Sequence, residues 1–386
     1  MRINPVLTEA IDSLLPEYLG IWAEFASIES RTADKAGVDR AAGYICGIAA
    51  KHGWKIEKKH FERSGDAVCI TMNPDAPGRP LAVSGHVDTV HPAGLFGYPP
   101  VRIEEGRICG PGVADCKGGI VAALMAMDAL ERVGFCERPV LLLLQTDEET
   151  SSAGSDKGTI SYICDKAAGA EAFLNAEGHT LGKCTVARKG ISKYRFTVRG
   201  KSVHAANCTK GISAIAEAAM KITELEKLKD PAGITCSCGT ISGGTAINTV
   251  PEECSFTLDV RFSNAEETDF ADMRVREIAE HSFIPGSSCT VELISRRAAM
   301  VRCERNLTLL DRMNAVYEAW GLPVLPRDEQ GRLRRRRRHA EGDPLRRLDR
   351  SHRRRHPYRQ GVCRDRQSPS DREADRHGVL FAVSCY

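Results

Sequence analysis

Four short stretches hold residues whose types and spacing suit chemistry. His86 and Asp88 stand two apart in Ser84-Gly-His-Val-Asp88, and Asp115 sits in the glycine-rich run Gly110-Pro-Gly-Val-Ala-Asp-Cys-Lys-Gly-Gly119. Gln145-Thr-Asp-Glu-Glu149 ends in three acids, and Glu177 follows in Ala176-Glu177-Gly178. An imidazole beside a carboxylate is how a metal-ligand histidine acquires an orienting acid. Three consecutive acids at the end of a buried strand repel one another and are costly unless a cation is present. Each stretch alone has a plainer reading: a solvated strand end, a helix cap at Asp115, a solvated acidic loop. The repetition is the stronger signal. An acid or a histidine follows strand after strand, and open α/β sheets form their sites at the carboxyl ends of strands.

These residues need a frame. The apolar start of 81–90 predicts a strand that delivers His86 and Asp88 together, because residues two apart share a face. The unbroken run 139–144 predicts a fully buried strand, with further strands at 54–61, 67–72 and 170–175. Amphipathic helices are expected within 6–30 and over 41–52. Another follows the glycine-rich loop, with Ile120, Leu124, Met127 and Leu130 as its apolar stripe. Glycines on both sides of Asp115 suggest close backbone packing there.

From about residue 188 the pattern changes. Tyr194, Phe196 and Val198 alternate with Arg195, Thr197 and Arg199, as do Phe256, Leu258, Val260 and Phe262 with their neighbours. A helix with Ile212, Ile215, Ala219 and Ile222 on one face, a strand at 234–241, a helix at 266–281 and a strand at 288–295 complete the set. The order strand-helix-strand-strand-helix-strand is the split βαβ sandwich. It predicts an inserted domain over 187–297 with one open sheet face. Leu307, Leu310, Met313, Val316 and Trp320 predict a helix returning to the first domain. The expected fold class is α/β: a mixed, mostly parallel sheet with helices on both faces, plus a ferredoxin-like α+β insert. The first domain would be discontinuous, over 1–186 and 298–330.

With 386 residues the chain is long enough for two cores. Its net charge of +3 is uneven: residues 331–386 hold 17 Arg, no Lys and 7 acids, so the rest is net acidic. No apolar leader opens the sequence, and the longest aliphatic run, within 140–144, is too short to span a bilayer. The 15 cysteines are scattered, which points to reduced thiols and a cytoplasmic protein without a membrane partner. Cys236 and Cys238 alternate in a strand-like run and are not read as a metal or redox pair.

Taken as a set, the motifs resemble those of the M20 metallopeptidases. They are Ser84-Gly-His-Val-Asp88, Gly112-Val-Ala-Asp-Cys-Lys-Gly-Gly119, Thr146-Asp-Glu-Glu149, Lys201-Ser-Val-His-Ala205 and Gly243-Gly-Thr-Ala-Ile-Asn248. The group includes glutamate carboxypeptidase, acetylornithine deacetylase, succinyl-diaminopimelate desuccinylase and aminoacylase-1. The resemblance covers the chain to about residue 330. It implies two metal ions, usually zinc, with cobalt or manganese as alternatives. His86 and Glu149 would each bind one ion, Asp115 would bridge, and Glu177 stands where a further acidic ligand belongs. Asp88 would orient His86. Glu148 would take a proton from the attacking water and return it to the leaving amine. His204 would reach the reacting carbonyl in a dimer partner, and Asn248 and Arg261 would help bind a substrate carboxylate. His91, His179 and Lys117 are left as ordinary polar residues.

The implied reaction is hydrolysis of an amide or peptide bond next to a free carboxylate. The expected substrate is a small peptide, as for a glutamate carboxypeptidase; N-acyl amino acid deacylation is the alternative. A dimerising, non-catalytic relative is a third reading. The Arg-rich tail as a nucleic-acid arm is set aside, because no aromatic stacking set accompanies it. At residue 331 the resemblance stops. The family continues with a Gly-Ser-Asp-Ala stretch, a glycine-rich loop and a late histidine ligand. Suitable GC-rich codons for 331–349, read one base later, spell such a start. Those for 354–362 spell a Gly-Asp-Ile-His string whose His codon overlaps Pro357 and Tyr358. A frameshift near residue 331 is therefore expected, with a disordered tail and an incomplete metal site. His339, His352, His356 and His377 are poor substitutes, since none follows a strand in a glycine-rich loop.

Overall fold

The computed structural model describes residues 4–326, apart from 105, 178–183 and 231–232. The expectations for 331–386, including the late-histidine question, and for His179 lie outside the described residues. The described residues divide into two units, 4–185 with 305–326, and 186–304.

In the first unit the helices are α1 (Pro5–Ser27), α2 (Lys35–Lys51), α3 (Gly118–Arg132), α4 (Gly158–Ala167) and, in chain order after the second unit's two, α7 (Glu304–Ala319). Its strands are β1 (Lys55–Lys59), β2 (Ala67–Met72), β3 (Leu81–His86), β4 (Arg102–Glu104), β5 (Arg107–Cys109), β6 (Val140–Gln145) and β7 (Ala172–Asn175). The main sheet runs β1-β2-β6-β3-β7, and β4 pairs with β5 alone. β3 pairs parallel with β6 and β7, whereas β2 is antiparallel to both β1 and β6. Four of the five strands therefore run the same way and only β2 runs against them, the mixed, mostly parallel sheet that was expected, with β1 and β2 joined as a hairpin.

The unbroken apolar sequence of β6 follows from burial on both faces. Leu142 and Leu144 join Val68 and Ile70 in the core under α1, α2 and α3. Leu141 and Leu143 turn the other way, towards Ile163 of α4. Burying one such side chain contributes roughly 1.5–3 kcal/mol relative to exposure. α1 starts at the Asn4 cap, whose side chain accepts from the Val6 amide, and it runs unbroken through Pro16. Among the described residues no helix is long and apolar enough to cross a membrane.

The second unit contains β8 (Gly190–Arg199), α5 (Ala214–Glu226), β9 (Thr235–Gly243), β10 (Glu253–Phe262), α6 (Ala265–Glu280) and β11 (Ser288–Arg297). Its sheet order is β11-β8-β10-β9, every pair antiparallel. That is the ferredoxin-like arrangement, with Phe196 stacked on Phe256 at 4.5 Å inside it. One expectation fails. α5 does not bury an isoleucine stripe: Ile215 is exposed, and the inward face carries Ala214, Glu217, Ala218, Lys221 and Leu225. The periodic signal was misleading because a buried ion pair, Lys221 with Glu217 at 3.1 Å, occupies the face that apolar residues usually fill.

Candidate metal centre

His86 is the last residue of β3 and is 1 % exposed. Asp88 lies two residues beyond the strand, so the β pleat does not hold the pair on one face as expected. Hydrogen bonds hold it instead. His86 Nδ1 lies 3.0 Å from Asp88 O and 3.4 Å from its Oδ1. The carboxylate itself, fully buried, accepts from the Thr32 hydroxyl at 2.7 Å and from the amides of Glu148 and Glu149 at 3.2 Å each.

Asp115 sits in the wide turn Val113–Lys117 that opens α3. Its peptide bond to Cys116 is cis. Gly112 enters this turn at φ +67°, a conformation that favours glycine. Gly119 brings the start of α3 against β7: a Cβ there would lie 1.9 Å from Ala176 O. The same approach carries Glu177 in beside Asp115. The turn is anchored to α1 by the Trp22 indole, which donates to Val113 O at 3.2 Å. Lys117 anchors it too, donating to Ile28 O at 2.6 Å and Phe25 O at 3.3 Å. Lys117 is fully buried and is no ordinary polar residue. Burial pushes its amine down to about 7.

Glu148 and Glu149 open a short helical turn directly after β6. Asp147, the first of the three acids, is structural: it is fully buried and accepts from the Thr159 hydroxyl and from the Ser155 amide. Nothing in its residue type or spacing separates it from its neighbours. His91 packs edge-on to Phe96 at 5.0 Å.

His86 Nε2 therefore meets Asp115 Oδ1 at 2.9 Å and Glu177 Oε1 at 3.5 Å. Donor atoms of His86, Asp115 and Glu149 all lie within 4.8 Å of one another, and so do those of His86, Cys116 and Glu177. The electrostatics match this crowding. Burial opposes a charge on His86, but Cys116, Asp115 and Asp88 outweigh it and hold the imidazole well above its usual range. The His86 bond draws Asp115 down. Burial, reinforced by neighbouring acids, raises Glu148 and pushes Glu149 up to about 7. When Nδ1–H donates to Asp88 O, the Nε2 lone pair faces carboxylate oxygens. Two acceptors at 2.9 Å require a cation or a proton between them. Imidazole with several carboxylates is a donor set that suits zinc, manganese or cobalt, so these residues fit a metal.

The remaining predicted residues belong to the second unit. His204 caps the short helix Ala205–Lys210, its Nδ1 accepting from the Ala206 amide at 3.2 Å. Asn248 lies beside it, its carbonyl accepting from the Ala205 amide at 2.8 Å, and both residues are exposed. Arg261 is near the far end of β10, exposed, with Asp259 at 3.0 Å.

The fold and site define an α/β protein with a candidate metal centre at its strand ends and a ferredoxin-like unit inserted. Residues 186–287 match the peptidase dimerisation domain family, and residues 67–207 match peptidase family M28. Carboxypeptidase G2 of a Pseudomonas species is 26 % identical over 323 residues, 82 % of this chain and 77 % of that one. Acetylornithine deacetylase of Proteus mirabilis is 26 % identical over 268 residues, 64 % of this chain and 67 % of that one. The aminopeptidase PepT structure from Bacillus cereus shares the fold, with a TM-score of 0.66 at 18 % identity over 81 % of this chain and 84 % of that one. These matches agree with the resemblance to the M20 metallopeptidases that the motifs carry.

Proposed function

We propose that this chain is a dinuclear zinc hydrolase that cleaves an amide or peptide bond beside a free carboxylate, removing a C-terminal glutamate from small peptides. The observation that carries the proposal is the convergence of Asp115 and Glu177 on one buried imidazole nitrogen, with Glu149 in reach. His86, Asp115, Glu149 and Glu177 would hold the ions, with Asp115 shared. Bound there, they would supply Lewis acidity towards the scissile carbonyl and the attacking water. Glu148 takes the water's proton and returns it to the leaving amine. Burial raises its proton affinity, the direction that such an exchange calls for. Asp88 orients His86 and holds the backbone of both glutamates. His204, Asn248 and Arg261 bind the substrate carbonyl and carboxylate.

The dimerisation-domain match supports a homodimer formed through 187–297. Buried free thiols such as Cys46, Cys69 and Cys254 support a reducing, cytoplasmic setting. The Arg-rich composition after residue 331 supports a frameshift that removes the late histidine ligand, which resequencing tests directly. Deacylation of N-acyl amino acids is the second reading, favoured by the acetylornithine deacetylase match. Zinc counting on the purified full chain, with peptide and N-acyl substrates assayed side by side, tests the whole proposal. With the frame restored, two zinc ions per chain and release of C-terminal glutamate are expected; the chain as given, short of one ligand, should hold less zinc and turn over slowly. A chain that takes up no zinc leaves a dimerising scaffold instead, and a monomer on ultracentrifugation removes the dimer.

A further inference from the structure

The segment between α1 and α2 contributed nothing to the sequence motifs, yet it touches both loops that carry the site. The Ser30 hydroxyl donates to Val87 O at 2.6 Å, and the Thr89 amide donates to Ser30 O at 2.8 Å. The Thr32 amide donates to Thr89 O at 3.0 Å. Ile28 O and Phe25 O, just upstream, receive the Lys117 ammonium from the Asp115 turn. Within this clasp one side chain reaches a site carboxylate: the Thr32 hydroxyl donates to Asp88 Oδ2 at 2.7 Å.

Asp88 is fully buried, so no bulk water orients it. Its rotation is set by its donors. Oδ1 receives the Glu148 amide, and Oδ2 receives both the Glu149 amide and Thr32. A carboxylate free to turn would drop one amide or the other, and the two glutamates leave the backbone at those amides. We propose that Thr32 is a positioning residue. Its hydroxyl fixes the Asp88 carboxylate, and through it the backbone from which Glu148 and Glu149 project. The inference rests on the reading of those residues as proton shuttle and metal ligand. Outer partners of this kind typically govern metal affinity by about 10- to 100-fold.

Thr32→Val keeps the shape and removes the donor, whereas Thr32→Ser keeps the donor and removes the methyl. Hydrogen exchange on the metal-free full chain reads the positioning directly. In Thr32→Val the Glu148 and Glu149 amides should exchange about tenfold faster, with the second unit unchanged, and zinc titration should show affinity lowered about tenfold. Thr32→Ser should restore both, a rescue that loss of packing alone would not give. Unchanged amide exchange, unchanged zinc affinity, or a Ser variant as impaired as the Val variant overturns the proposal. Should Thr32→Val not fold, Thr32→Ala gives the same two readouts. A wild-type chain that binds no zinc overturns the proposed function, and the exchange comparison then decides the positioning of Glu148 and Glu149 alone.

Discussion

The two units each bury a charged constellation, and they balance it in opposite ways. In the second unit Lys221 and Glu217 are 1 % and 0 % exposed and 3.1 Å apart. Every polar direction around them is filled. Lys221 also donates to the carbonyls of Ile278, Ala279 and His281 at the end of α6, and Glu217 accepts from the Phe283 and Ile284 amides. The group is neutral and ties α5 to the end of α6. In the first unit His86, with His91 near Asp115, faces Asp88, Asp115, Glu148, Glu149 and Glu177. That site carries excess negative charge. Burial of charge therefore does not distinguish a working site from a structural tie; imbalance does, because only an imbalanced cluster lowers its energy by taking up a cation.

The two sites should differ most at the glutamates. Glu148→Gln should lower kcat by at least about 100-fold while zinc content stays at the wild-type level. Glu149→Gln should lose zinc. Metal analysis beside steady-state kinetics checks both, and normal zinc in both variants would refute the assignment. Neither change should weaken the metal-free fold. Relief of repulsion should stabilise it by up to roughly 1 kcal/mol after solvent screening.

The neutral pair should behave in the opposite sense. Lys221→Met strands a buried carboxylate and should cost about 3–5 kcal/mol, read by denaturant unfolding. Replacing Glu217 by Leu in the same chain should recover most of that loss. A double variant as unstable as the single one would mean that the pair is worth more than the apolar contact replacing it.

Acidity should separate the two sites next. Glu149 is pushed up to about 7, so the metal-free folded chain holds a proton that the unfolded chain releases near 4.3. Stability from this group is fully present below about 4.3 and is lost as pH rises through about 7. Glu217 is drawn down, with burial opposing and Lys221 and two amides prevailing. Its contribution is present above about 4.3 and is lost as pH falls through its folded value. Hydrogen exchange with chelator present should show the first unit loosening from pH 5 to 7.5 while the second holds. Zinc affinity should rise over the same interval, because the ion displaces the Glu149 proton. Equal responses in both units would remove the distinction.

The smallest effect is expected at Arg261. Its pair with Asp259 is exposed, so Arg261→Ala should change stability by less than about 0.5 kcal/mol. A rise in KM without a matching fall in kcat would support its place in carboxylate binding, and unchanged kinetics would remove it.

Much of this was legible in the sequence, because burial on a sheet leaves a local trace. The unbroken apolar run of β6, the alternation of Phe256, Leu258, Val260 and Phe262 in β10, and the acids and histidine after strand ends are all local patterns set by the period of a strand and the polarity of its neighbours. Other features depended on which side chains meet across long stretches of chain. Asp147 and Glu148 are adjacent acids, but only the first is bound by the Thr159 hydroxyl and the Ser155 amide. Lys117 reads as a surface lysine until the end of α1 supplies its carbonyls. Lys221 and Glu217 read as the polar side of α5, and the end of α6 makes them its inner face. Thr32 has no motif at all, and contact with Asp88, 56 positions away, gives it a role. Residue type and spacing determined which groups could bind a metal. Only the folded chain decided which charges are satisfied, because a hydrogen-bond partner is a matter of position in space and not of order in the sequence.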